Sequence, residues 1–255
     1  MDDGVDLTHD GYLGGRLRLW QPRRGYRAGL DAVMLAASVP AQAGDSLLDL
    51  GCGVGAAALC AGIRVPGLRL WGVERQAAMA DLARRNGAEA GQSFEVHTGD
   101  LSAMPDALKA QRFDHVIANP PYFRRDRSTP GPNPVREAAY GEETPLDAWI
   151  DAASRRVRPG GTVTFVHRAA RLDALLTAMT GRLGSLEVKP LIPRAGRAAQ
   201  LVLVRGRKGG RAALCLHDGL LLHRQAEHGD DRPDPTETAQ AILRDGAFFP
   251  FASSR

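Results

Sequence analysis

The sequence predicts an α/β fold: a mostly parallel seven-stranded sheet with an antiparallel strand, helices on both faces, and an extra C-terminal β-hairpin. Three observations carry this. From residue 46 onward, short apolar runs alternate with helix-length amphipathic segments, the pattern of a parallel sheet covered on both faces. The first such run ends in a turn with three glycines, Gly51, Gly53 and Gly55. The last two strands of the series are joined only by Pro193 to Ala199, which is too short for a parallel crossover and demands an antiparallel pair.

The elements follow in order. Ser46 to Leu50 is a short apolar strand, and Ala56 to Ile63 is the helix after its glycine turn. Leu68 to Val73 is a second strand, Gln76 to Asn86 a second helix and Phe94 to His97 a third strand. His115 to Ala118 is a fourth strand, because Pro120-Pro121 cannot continue a ladder. Leu146 to Val157 reads as a helix stopped by Arg158-Pro-Gly-Gly161, followed by a fifth strand from Thr162 to Val166. Leu172 to Leu183 is helical, and Leu186 to Ile192 and Gln200 to Val204 are the antiparallel pair. Ala212 to His217 and Leu220 to His223 flank Asp218-Gly219, a hairpin signal. Asp234-Pro-Thr-Glu237 has capping-box spacing before a last helix, which Gly246 could close. Residues 1–45 form an N-terminal segment, 46–205 the core and 206–255 a hairpin and tail, within one domain.

Composition narrows the class. The chain has 255 residues, 44% apolar and 24% charged, which suits a globular protein with a sizeable core. No apolar run approaches the roughly 18 residues of a membrane helix, and the acidic N-terminus lacks a signal region. Cys52, Cys60 and Cys215 are scattered and read as reduced cytoplasmic thiols. The seven histidines show neither HxxxH nor HxH spacing, so no metal is expected. The net charge is +4, and of 33 basic residues only Lys109, Lys189 and Lys208 are lysines. Arginine pairs with phosphate bidentately and stacks on bases; this charge is compatible with nucleic acid without establishing it.

Two turns carry chemistry. In "LLDLGCGVGAAAL" the glycines let backbone approach a ligand, and the helix that follows offers free N–H groups. The run Gly51-Cys52-Gly53-Val54-Gly55-Ala56 also satisfies the dinucleotide pattern GxGxxG/A. Asp49, two residues before the first glycine, can meet an ammonium or a bound water. Glu74, at the end of the second strand, can accept both hydroxyls of a ribose. Asp100 in "TGDLS" can accept from an adenine amino group, with Leu101 against the ring, although Asp is also an ordinary turn residue. Placement of Asp49 favours S-adenosylmethionine over a dinucleotide.

The second turn is "ANPPYF". A planar conjugated –NH2 is a poor nucleophile because its lone pair is delocalised. Two acceptors aimed at its hydrogens, the Asn119 side-chain oxygen and the Pro120 carbonyl, would turn the lone pair toward a methyl donor. The prolines hold that carbonyl rigidly. Tyr122 supplies a stacking face, and Pro121 and Phe123 complete the substrate side. Arg124, Arg125, Arg127 and Arg136 flank this pocket, as phosphate ligands or as an ordinary solvated loop.

"DLGCGVG" with "NPPY" resembles the Rossmann-like class I methyltransferases that modify planar amino nitrogens: adenine-N6 methylases, ribosomal RNA guanine-N2 methylases and release-factor glutamine-N5 methylases. "QPRRGYRAGLDAVMLAA", Gln21 to Ala37, resembles the segment that precedes the first strand in the bacterial tRNA1(Val) adenine-N6 methyltransferase family, which modifies the adenine 3′ of the anticodon. The resemblance spans roughly residues 15–205. It implies S-adenosylmethionine as cofactor, RNA as partner, no membrane, and a role for Gln21, Gly25 and Asp31 in closing the cofactor site. The Arg- and Pro-rich loop after NPPY and the chain beyond residue 205 depart from that family's pattern. A glutamine-N5 methylase usually carries a helical N-terminal domain, for which the 45 residues before the first strand leave little room.

Overall fold

The computed structural model describes residues 6–25, 27–121, 144–224 and 234–252. The chain opens with two antiparallel strands, β1 (Leu7–Tyr12) and β2 (Leu17–Pro22). In β2, Leu17, Leu19 and Gln21 are buried while Arg18 is exposed, the alternation of a half-buried strand. The first helix, α1 (Leu30–Ser38), is buried from Ala32 to Ser38. Strand β3 (Ser46–Leu50) is buried along its whole length. Burying each of its three leucines contributes about 1.5–3 kcal/mol.

Helix α2 (Ala56–Arg64) follows the glycine turn, and its buried alanines Ala56, Ala57, Ala58 and Ala61 let it lie close against its neighbours. Next come β4 (Arg69–Glu74), α3 (Ala77–Glu89), β5 (Phe94–Thr98), the short α4 (Asp106–Lys109) and β6 (Phe113–Ala118). Then α5 (Leu146–Arg156) leads directly into the long β7 (Val157–Arg168), followed by α6 (Leu172–Met179), β8 (Gly184–Ile192) and β9 (Leu201–Arg207). The seven strands from β3 to β9 lie in the order β8-β9-β7-β6-β3-β4-β5. All neighbours are parallel except β9, which is antiparallel to both β7 and β8. The expected mostly parallel sheet with one reversed strand is the structure found.

Helices cover both faces. The N-terminal hairpin, α1, α2 and the C-terminal helix share one apolar cluster, and α5, α6 and the inner ends of β6 and β7 share the other. Among the described residues, no helix is long and apolar enough to cross a membrane.

Two expectations beyond residue 205 need correction. The Asp218-Gly219 hairpin does not form. Instead β10 (Cys215–Leu216) and β11 (Leu220–Leu221) each pair in parallel with β8, extending the sheet edge. The open edge of β8 offers hydrogen bonds to both segments, and Lys189 Nζ on that strand holds the Asp218 carboxylate at 2.7 Å. The last helix, α7 (Glu237–Asp245), is capped by Thr236, whose hydroxyl accepts from the Ala239 N–H; Asp234 instead pairs with Arg194 and His223. Gly246 closes the helix in the left-handed region, as expected. After it the chain turns back onto α1, where the Phe249 N–H donates to the Ala37 carbonyl.

Candidate active site

Strand register gathers the site. Leu50 pairs with Val73 on one side and Ala118 on the other, and Glu74 pairs with Thr98. The residues that follow these strand ends, Gly51, Arg75, Asn119 and Gly99-Asp100, therefore emerge along one edge of the sheet. Carboxyl ends of adjacent parallel strands are where open α/β sheets bind ligands.

The glycine turn is built around backbone. Gly51, Gly53 and Gly55 all have positive φ, at 63°, 55° and 87°, which other residues adopt only with strain. A Cβ on Gly51 would lie 2.5 Å from the Trp149 ring, and one on Gly55 2.7 Å from Phe94. Glu74 is buried and holds the turn: its carboxylate accepts from the Gly53 N–H at 3.0 Å and from the Gln76 N–H at 2.8 Å. Each carboxylate oxygen keeps capacity for a further donor such as a ribose hydroxyl. The Cys52 N–H donates to Val73, and burial pushes the Cys52 thiol well above its usual range.

Asp49 lies beneath the turn, 3% exposed. Burial, with the neighbouring Glu74, pushes its carboxyl up to about 8 against an opposing hydrogen bond from the Ala58 backbone. Two buried acids beside a turn of positive-φ glycines fit a ligand with a cationic group and hydroxyls. That is the chemistry of S-adenosylmethionine, which the sequence resemblance implies.

Asp100 has one oxygen engaged by both the N–H and the hydroxyl of Ser102, and these bonds hold its carboxyl below the usual range. It caps the turn that carries Leu101, which packs half-buried against the second apolar cluster. In this structure, then, Asp100 performs turn chemistry.

At the end of β6, Asn119 is half-buried and Pro120 buried, with Pro121 partly exposed. The Asn119 side-chain N–H donates to Asp31 at 2.9 Å. Tyr122, Phe123, Arg124, Arg125, Arg127 and Arg136 lie outside the described residues, as does Tyr26.

The N-terminal residues act through one another. Gln21 is buried; its amide donates to Asp10 at 2.7 Å and to Tyr12 at 3.2 Å, and its oxygen accepts from the Ala28 N–H. Tyr12 donates to the Ala28 carbonyl at 2.7 Å. Gly25, with φ 102°, turns the chain between these anchors. Gln21 thus bears on the site by fixing the approach to α1.

Sequence reasoning missed Asn86. Its fully buried amide accepts from the Trp20 N–H and donates to the carbonyls of Trp20 and of Val54, within the glycine turn. It ties hairpin, helix α3 and turn together. Its signal was available: a polar residue in the apolar stripe formed by Ala80, Ala83 and Gly87.

Comparison with known proteins agrees with this geometry. The methyltransferase small domain family matches residues 29–189. A tRNA1(Val) (adenine(37)-N6)-methyltransferase of Porphyromonas gingivalis is 36% identical over 169 residues, covering 62% of this chain and 66% of that protein. One from Actinobacillus succinogenes is 30% identical over 199 residues, covering 76% and 82%. Among solved structures, a predicted O-methyltransferase from Agrobacterium tumefaciens superposes with a TM-score of 0.69 at 27% identity, covering 86% of this chain and 98% of that one. The matched span holds α1, both turns and the strands that carry them, and the chain belongs to the methyltransferase small domain family.

Proposed function

We propose that this methyltransferase methylates the exocyclic N6 of an adenine in RNA, in tRNA beside the anticodon, and that it works in the cytoplasm. The observation that carries the reading is the side-by-side emergence of the glycine turn and Asn119 from the paired ends of β3 and β6. Support comes also from relatives bearing the tRNA1(Val) adenine-N6 name.

S-adenosylmethionine supplies an electrophilic methyl group. Asp49 would meet the cationic end of that cofactor, Glu74 would take its ribose hydroxyls, and Asp100 with Leu101 would receive its adenine. Asn119 Oδ1 and the Pro120 carbonyl accept the two hydrogens of the substrate amino group. Their pull frees the nitrogen lone pair for attack, by positioning and electrostatics rather than by prior deprotonation. The adenine must leave its stack to reach them. Tyr122, Pro121 and Phe123 receive the base, and Arg124, Arg125, Arg127 and Arg136 meet phosphates.

The test is methyl transfer from radiolabelled S-adenosylmethionine to unmodified tRNA, ribosomal RNA and release factor offered in parallel. Digestion of labelled tRNA should yield N6-methyladenosine. Label in protein glutamine or in ribosomal guanine would overturn the reading.

A further inference from the structure

We infer that Asp31 is a positioning residue that sets the hydrogen-bond polarity of Asn119, and thereby the choice of an amino-bearing base over a carbonyl-bearing one. This rests on the proposed acceptance of a substrate amino group at Asn119. An asparagine amide has an oxygen and a nitrogen of nearly equal shape, and its partners decide which way it points. A carboxylate only accepts. With Asp31 Oδ2 2.9 Å from Asn119 Nδ2, the amide nitrogen is turned toward Asp31 and the oxygen faces the other way. On the proposed reading, the side of the amide offered to a substrate is then its acceptor oxygen, beside the Pro120 carbonyl.

Asp31 is itself well anchored. It stands in the first turn of α1, and its other oxygen accepts from the Ala32 N–H at 3.0 Å. Three residues before it, both backbone polar groups of Ala28 are held by Gln21 and Tyr12. The N-terminal hairpin thus fixes the start of α1, and α1 fixes the amide at the end of β6, 88 positions away. A base with a carbonyl at C6 would meet two acceptors with an acceptor, which leaves buried polar groups unpaired; such mismatches discriminate strongly.

The test uses Asp31→Asn, which keeps the shape and supplies a donor, and Asp31→Glu, which keeps the charge. Three quantities are measured on full-length protein: the Asn119 side-chain amide in 15N NMR, assigned by its loss in Asn119→Asp; kcat and the S-adenosylmethionine Kd; and binding of an anticodon stem-loop carrying adenine or hypoxanthine at the target position. In Asp31→Asn the amide signals should shift, kcat should fall about 30-fold or more with the cofactor Kd within about twofold, and the adenine preference should shrink toward one. Asp31→Glu should restore part of each. Unmoved amide signals would overturn the inference. So would a raised cofactor Kd with kcat and base preference intact, which would make Asp31 a lid residue for the cofactor. If the amide signals move as expected but wild-type protein methylates no RNA, the polarity stands and the RNA reading falls.

Discussion

The glycine turn after β3 and the proline turn after β6 leave neighbouring strands at the same register, yet they are held in different ways. The glycine turn is held through its backbone: Glu74 accepts from the Gly53 N–H, Asn86 donates to the Val54 carbonyl, and the Trp149 ring lies where a Cβ on Gly51 would go. In the proline turn the side-chain amide of Asn119 is held by Asp31 from another element, and the proposed chemistry rests on that amide together with the Pro120 carbonyl. Backbone geometry gives a cofactor pocket its shape without regard to side-chain rotamers. An amide on a rotatable bond gives the acceptor pocket its polarity, which a single partner can reverse. The first turn should therefore fail by losing shape, and the second by losing rate.

Asn119→Ala tests the division with the largest effect. It should lower kcat about 10²–10³-fold, as loss of one positioned electrostatic group does elsewhere, while the S-adenosylmethionine Kd stays within about twofold in isothermal titration. A variant that keeps its turnover would erase the difference between the turns.

Gly51→Ala should do the opposite. Its methyl group would meet the buried Trp149 ring at a residue with φ 63°. Strain and overpacking of this kind cost about 2–3 kcal/mol, so thermal melting should drop by several degrees and cofactor binding should weaken. Pro121→Ala, on a partly exposed residue, should change melting less. Equal losses in the two variants would show that the turns are supported alike.

The smallest effect sharpens the electrostatics of the glycine turn. Burial raises the Asp49 carboxyl to about 8, whereas an unfolded Asp titrates at about 4. The native state thus binds the extra proton between these values, and its stability from this group falls as pH rises through that window. A cationic ligand beside Asp49 favours the carboxylate and should expel the proton. Cofactor Kd should fall as pH rises toward about 8 and then level, with up to one proton released in calorimetry across buffers of different ionisation enthalpy. Asp49→Asn should abolish that slope; a slope that persists would assign the proton to another group.

Much of this protein is legible in its chain, and the failures have physical causes. Apolar runs such as Leu47-Leu48 and Val116-Ile117 can only be central strands when helices alternate with them. Gly51, Gly53 and Gly55 mark a ligand turn because positive φ leaves few alternatives. The N-terminal hairpin goes beyond the sequence reading of residues 1–45 as an N-terminal segment, although Leu17-Arg-Leu-Trp-Gln21 alternates. Asp218-Gly219 misled in the other direction. A local turn signal says that the chain bends, not which edge will pair with its flanks, and β8 competed successfully for both.

By itself, then, the sequence determined the alternation of strands and helices, the glycine turn and the Asn-Pro-Pro turn, because each depends on residues close together in the chain. Tertiary structure decided which way those groups act. Asp31 meets Asn119 across 88 positions, and Asn86 reaches Val54 across 32. A hydrogen bond is set by separations of about 3 Å and by the direction of its donor, and only the packing of α1 and α3 against the sheet brings those atoms within that distance.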